Sequence, residues 1–417
     1  MHLTQVAEIN PNERTGAVLT NLAKISNGLY NTALYANTQK YNSEKKFIFY
    51  EEMCDALKDD ELYGLLASQS AQAVLQKVDG GIKSFLKLHK KGYKDAQFPH
   101  FHRKDTEWIL PYKSQQIKIA GNKITLPMSL GYRKQAGLSY ISFGVPNLRY
   151  EGELKYLELF KFEGRWRVCM VFDVKNAKKM DIPKKDNFYI DLGIRNAATI
   201  WDGEKTTIYS GGKIRSTIQY KDKKVAEVHE VLVIQGRKTS KEKRMLARQA
   251  MLKTKQRIHA MTTQIVETAR SQGKGVVIGK LVGIRQNMNF GHMNNQQVHQ
   301  WAFNEVAKEL EYKCKLNGVR FRAVSERETS KTCALCGKEE RGRIHRGLYR
   351  CKLYNVVFNA DCNGALNIEK RYLRMSLHKG SGIGVVAALA QPAVLHWNEH
   401  MWLNELKSAR VGNAVSS

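Results

Sequence analysis

Three short stretches of the 417-residue chain hold side chains arranged for chemistry. In "ERETSKTCALCG", residues 326–337, Glu326 and Glu328 stand directly before a Cys333-x-x-Cys336 pair. In "YIDLGIRNAATI", residues 189–200, an apolar strand pattern ends in Asp191. In "FNADCNGALNIEKR", residues 358–371, Asp361 opens a helix after a short strand. Two such acids suit phosphodiester cleavage by paired Mg²⁺ ions, which sit ~3.5–4 Å apart and stabilise the attacking and leaving oxygens. Mg²⁺ is hard and takes carboxylate oxygens. A site of this kind normally uses three or four acids, so Asp191 and Asp361 are an incomplete set. The bland alternatives are a strand-end Asp in a turn and an Asp N-cap.

"TCALCG" and "YRCKLY" have the spacing of a zinc ribbon that lacks one ligand, with Cys333, Cys336 and Cys351 in place. The fourth position holds Tyr354, a poor zinc ligand. His345 or Cys362 could complete the site, and a hairpin that folds without metal is the alternative.

The elements that must carry these residues follow from periodicity. Residues 1–9 read as a strand and about 12–92 as helical, with apolar residues at three-and-four spacing. "QIKIAGNKITLPM" reads as a hairpin around Gly121-Asn122. "GRWRVCMVFDVK" puts Trp166, Val168, Met170, Phe172 and Val174 on one face. In "FPHFHRK", Phe98 and Phe101 are expected in the core. Segment 105–182 is thus a small β domain. After it come a strand ending at Asp191, a second from Ala197 to Trp201, a turn at Asp202-Gly203 and a third strand. A long basic helix is predicted over 237–272, a buried strand over 275–281, an amphipathic helix ending at Asn317-Gly318, and a strand "VRFRAVSE". Three strands, helix, strand, helix, strand is the layout of an RNase H-like α/β fold. The tail beyond about 376 shows no clear element and is expected to be loosely held.

Charge points to the partner. Lys plus Arg number 68 against 39 Asp plus Glu, a net +29. A surface this basic is stabilised by a polyanion, and nucleic acid is the usual one. The phosphate-tracking candidates are Lys241, Lys243, Arg244, Arg248, Lys253, Lys255 and Arg257 on the long basic helix. No apolar run approaches the ~20 residues of a bilayer span, and the N-terminus has no apolar signal core. Seven cysteines, an odd number, argue against a disulfide framework. A cytoplasmic, nucleoid-associated protein is expected, with no membrane and no small-molecule substrate.

Taken in order, "YIDLGIRNAATI", "VVIGKLVGIRQN", "HQWAF", "ERETSKTCALCG", "GLYRC" and "FNADCNGALNI" resemble TnpB, the transposon-encoded RNA-guided DNA nuclease related to type V CRISPR effectors. The resemblance covers roughly 188–370 by motif and the N-terminal half by layout. It implies an α/β and β multi-domain chain: a wedge β-barrel from 1–10 and 105–185, a helical recognition domain over 11–104, and a RuvC domain over 186–376. A zinc-ribbon-like insert would occupy 329–356. It also implies Mg²⁺, a guide RNA and a target double-stranded DNA with a short flanking motif. In the family the second metal-binding acid is a Glu in the strand that here reads "VVIGKL", and its place holds Gly279. Either the nuclease is dead, leaving an RNA-guided repressor, or the acid comes from elsewhere.

Some relatives with Gly at this place carry a Glu just before "TSxxC", which here is Glu326, with Glu328 in reserve. The two strands flanking the amphipathic helix should be parallel neighbours, ~4.8 Å apart. A Glu at the end of the second could then reach a site served from the first, and Gly279 leaves room for it. On this reading Asp191, Glu326 and Asp361 hold Mg²⁺. Gly279→Ala should be far milder than loss of the acid unless the added methyl crowds the site.

Overall fold

The structure is a computed structural model. It describes residues 1–148, 150–280, 303–326, 329, 331–338, 342–345, 347–375 and 383–404. The chain divides into two compact units, Met1–Lys175 and Asn176–Ser417.

The first unit begins with β1 (His2–Ile9). Asn12 caps the long α1 (Glu13–Glu44) by accepting a hydrogen bond from the Thr15 amide at 2.8 Å. Helices α2 (Tyr50–Leu57), α3 (Glu61–Leu65) and α4 (Ser68–Lys90) follow. Then come β2 (Leu110–Lys113), β3 (Lys118–Ala120), β4 (Lys123–Pro127), α5 (Leu130–Ala136), β5 (Tyr140–Gly144), β6 (Glu153–Phe162) and β7 (Arg165–Asp173). The expected hairpin turns at Gly121-Asn122, with Ala120 opposite Lys123. Trp166, Val168, Met170 and Phe172 of β7 are all buried, as their alternation requires.

The described strands of this unit form two sheets, ordered β1-β7-β6-β2 and β3-β4-β5. Helical and β segments also share a single core, in which Leu19, Leu22 and Leu29 cluster with Leu157, Leu159 and Met170. Phe98 packs on Phe47 and Phe85 as expected, but Phe101 is 54% exposed.

The second unit is built on a seven-stranded sheet. Its first strands are β8 (Asn187–Asp191), β9 (Asn196–Trp201) and β10 (Thr206–Ser210). Helices α6 (Gly212–Ile234) and α7 (Lys241–Ser271) pack on each other before β11 (Gly275–Lys280). Helix α8 (Phe303–Asn317) leads to β12 (Phe321–Ser325). A small sheet of β13 (Arg343–His345), β14 (Leu348–Cys351) and β15 (Val356–Asn359) carries Cys351, with Cys333 and Cys336 in the segment before it. It runs into α9 (Ala360–Leu373), then α10 (Ile383–Ala390), β16 (Ala393–Asn398) and β17 (Met401–Asn404).

The sheet order is β12-β11-β8-β9-β10-β16-β17. β11 lies parallel to both β8 and β12, with Ile278 opposite Ile190 and Gly279 opposite Val324. Ile190, Ile278 and Val276 pack on one face with Ile265 of α7 and Leu310 of α8. Tyr189 and Val277 pack on the other with Leu366 and Ile368 of α9.

The basic helix predicted over 237–272 is α7, started by Ser240, whose hydroxyl accepts from the Lys243 amide. Before it, α6 had no sequence signal, because only Ile214 and Leu232 of its residues are buried. The tail expected to be loose is instead structural over 383–404. β16 pairs in parallel with β10, and Trp402 is buried against Tyr209 and Trp397. These strands are too short for an alternating pattern to stand out.

Candidate active site

Strand alternation sets the faces. Tyr189, Val277 and Val324 belong to the cluster on the α9 side of the sheet. Residues two further along each strand fall on the same side. That places Asp191, Gly279 and Glu326 together at the C-terminal ends of three adjacent parallel strands, facing α9.

Two glycines make room for the carboxylates. A Cβ built on Gly279 would lie 1.7 Å from Glu326 Oε1 and 2.4 Å from its Cδ and Cγ. The Glu326 side chain therefore fills the space a side chain at 279 would need. A Cβ on Gly364, in the second turn of α9, would likewise overlap Asp191 Oδ2.

Asp361 is the second residue of α9, but it is not the cap. Asn359 does that work, accepting from the amides of Asp361 at 2.8 Å and Cys362 at 3.2 Å. The Asp361 carboxylate is left to accept from Asn196 Nδ2 at 2.7 Å. Asn196 was missed in the sequence, since nothing in a strand pattern singles out a polar residue at its start.

The donor set fits a hard cation. Glu326 Oε1 is buried without a hydrogen-bond partner, and burial pushes its carboxyl up to about 7. A buried oxygen of this kind is costly unless a cation or donor meets it. Glu328 lies outside the described residues.

The cysteine hairpin gathers as expected. Ligand atoms of Cys333, Cys336 and Cys351 all lie within 4.8 Å of one another, and a thiophilic ion with Zn–S near ~2.3 Å would fit between them. Cys362 is not part of this group. It is buried near Asp361 and Asp191, with a side-chain hydrogen bond to Thr206. Tyr354 is 50% exposed, and the side chain of His345 is outside the described residues. Lys370 is buried beside the cysteines. Burial lowers its pKa, Cys333 and Cys336 act to raise it, and its Nζ donates to the Ala334 carbonyl.

On α7, Lys241, Arg244, Lys253 and Lys255 are exposed, whereas Lys243 and Arg248 are half-buried. Arg257 does not stand with them. Its guanidinium donates to the Lys213 carbonyl at 2.6 Å and to the Thr217 hydroxyl, tying α7 to α6. No described helix is long and apolar enough to cross a membrane.

Residues 303–368 match the family described as Cas12f1-like, TNB domain. Cys333, Cys336, Cys351, Glu326 and Asp361 fall inside that matched segment, while Asp191 and Gly279 precede it. The chain is 25% identical to the TnpB-like protein ORF457 of Acidianus two-tailed virus, over 88% of this chain and 86% of that one. It is 23% identical to InsQ of Escherichia coli (strain K12), over 82% of this chain and 85% of that one. The CRISPR-associated endodeoxyribonuclease Cas12f2 of Micrarchaeota archaeon (strain CG1_02_47_40) is 31% identical over 28% of this chain, a match spanning 23% of that protein. A solved Cas12f1–sgRNA–target DNA complex aligns over 88% of this chain and 99% of its own, at 17% identity and a TM-score of 0.36. The similarity to TnpB expected from the ordered motifs is present along most of the chain.

Proposed function

We propose that this chain is a transposon-type, RNA-guided DNA endonuclease, and that Asp191, Glu326 and Asp361 hold its Mg²⁺ ions. The observation that carries this is the Glu326 carboxylate lodged in the missing side-chain position of Gly279, facing α9 with Asp191. The acid that a family strand would supply from position 279 is supplied from the end of the neighbouring strand. The names of the relatives, an endodeoxyribonuclease and a TnpB-like protein among them, support the same class.

Bound Mg²⁺ would stabilise the attacking and leaving oxygens of a phosphodiester. The chain's own residues set the geometry. Gly364 lets α9 close on Asp191, Asn196 orients Asp361, and Gly279 admits Glu326. Guide RNA would select the target by base pairing, so the protein needs mainly to hold backbone phosphates and read a short flanking motif. The exposed lysines and Arg244 on α7 suit the phosphate role. The cysteine hairpin would hold Zn²⁺ through three thiolates.

The test is to identify RNA that copurifies with the protein, then give the complex a matched duplex and Mg²⁺. Wild type should cut, whereas Glu326→Gln and Asp191→Ala should bind target without cutting. Wild type that binds guided target but never cuts would instead establish a nuclease-dead repressor.

A further inference from the structure

An acid in the middle of an inner strand is held by sheet hydrogen bonds on both sides. Glu326 has no such support. It lies one residue past the end of β12, the edge strand of the sheet. Its position must be fixed from elsewhere, and α9 does this from both flanks.

On one side, Arg371 donates to the carbonyl of Ser325, the residue before Glu326, at 2.9 Å. On the other, the Glu326 carbonyl accepts from the Thr329 amide at 3.1 Å and the Thr329 hydroxyl at 2.9 Å. Asn367 then holds Thr329 in place, its amide donating to the carbonyls of Thr329 at 2.8 Å and Thr332 at 2.7 Å. Asn363 continues the grip, donating to the Thr332 carbonyl at 2.9 Å and accepting from the Ala334 amide at 2.7 Å. Positions 363, 367 and 371 are four apart and share one face of the helix. Both asparagines are buried, where unmet amide groups would be costly.

We propose that Arg371 and Asn367 are positioning residues for Glu326, holding the backbone at Ser325 before it and at Thr329 and Thr332 after it. This inference rests on the proposed metal role of Glu326. A site with its second acid on β11 would not need the clamp. Here the helix that carries Asp361 also anchors Ser325 and Thr329 on either side of the acid.

The test measures Mn²⁺ affinity of the guide-loaded complex by the electron paramagnetic resonance signal of free Mn²⁺, with the Mg²⁺ midpoint for cleavage beside it. Arg371→Ala removes an exposed side chain and should leave folding and target binding intact. It should weaken Mn²⁺ binding about tenfold or more, the usual cost of losing an outer partner of a metal ligand. Arg371→Lys should recover toward wild type, and Asn367→Leu should match or exceed the alanine loss. In the background Gly279→Glu with Glu326→Ala, where the acid sits on β11, Arg371→Ala should change neither quantity.

Unchanged Mn²⁺ affinity in both Arg371→Ala and Asn367→Leu would overturn the proposal. So would an equal loss in the two backgrounds, or a loss that Arg371→Lys does not recover. The last comparison decides the matter if the relocated acid makes no metal site. Failure of the underlying reading shows itself separately, as Glu326→Gln retaining both Mn²⁺ affinity and cleavage.

Discussion

Gly279→Ala should disable cleavage nearly as completely as removing Glu326. A methyl is small, and the sequence alone makes this substitution look mild. The exception allowed from sequence, a methyl that crowds the site, is what the structure shows, because the methyl would sit 1.7 Å from Glu326 Oε1, whereas ordinary contact begins at 3.4 Å. The oxygen must therefore retreat by about 1.7 Å, the difference between those distances. A Mg²⁺ ligand operates at ~2.0–2.1 Å with little angular tolerance, so a shift of that size removes it from coordination.

A misplacement of ~1 Å can cost on the order of 10²-fold in rate, or ~2.7 kcal/mol at 1.36 kcal/mol per tenfold. The assay is single-turnover cleavage of one matched duplex by guide-loaded wild type, Gly279→Ala, Glu326→Ala and the double variant, with target binding measured in parallel. The double variant should be no slower than Glu326→Ala, since both changes strike one interaction and so cannot add. Gly279→Glu with Glu326→Ala should regain activity by returning the acid to the inner strand. A folded Gly279→Ala enzyme that cuts at the wild-type rate would refute the reasoning, because the carboxylate could not then be needed where it lies.

The cysteine site should hold one zinc that a chelator strips quickly, and Tyr354→Cys should slow that loss, as followed by a colorimetric zinc indicator. Equal release from both proteins would mean that residue 354 never approaches the ion. Lys253→Ala with Lys255→Ala should flatten the slope of log affinity against log salt by up to about 2, whereas Arg257→Ala should lower thermal stability instead, because it ties α7 to α6. Glu309 gives a pH signature. Burial acts to raise its pKa, but hydrogen bonds from His259 and Lys313 outweigh this and bring it from 4.5 to about 2. A depressed carboxyl contributes stability above its unfolded value, and that contribution is lost as pH falls through the folded one. Glu309→Ala should thus cost about 3 kcal/mol at neutral pH by leaving Lys313 buried and unpaired. The gap to wild type should narrow as pH drops from 4.5 toward 2, and a constant gap in denaturation curves would contradict it.

Much of this protein can be read before folding is considered. Alternating apolar residues in β7 and the continuous run in β11 fix which residues are buried, because a strand's side chains must alternate between faces. The order of Asp191, Gly279, the cysteines and Asp361 suggests the chemistry proposed above, and the net charge suggests a polyanionic partner. Other features needed the fold. Helix α6 was invisible because it buries almost nothing, and β16–β17 because two short strands become a sheet edge only once β10 is beside them. Asn359 caps α9, which a local reading had offered to Asp361, since capping depends on backbone angles rather than residue type. Sequence could say that Glu326 lies 47 residues beyond Gly279, on a neighbouring parallel strand, with room for it at the glycine. What tertiary structure decided is that the carboxylate fills that space and that α9 holds the backbone on either side of it, because strand register and helix packing are not set by local sequence.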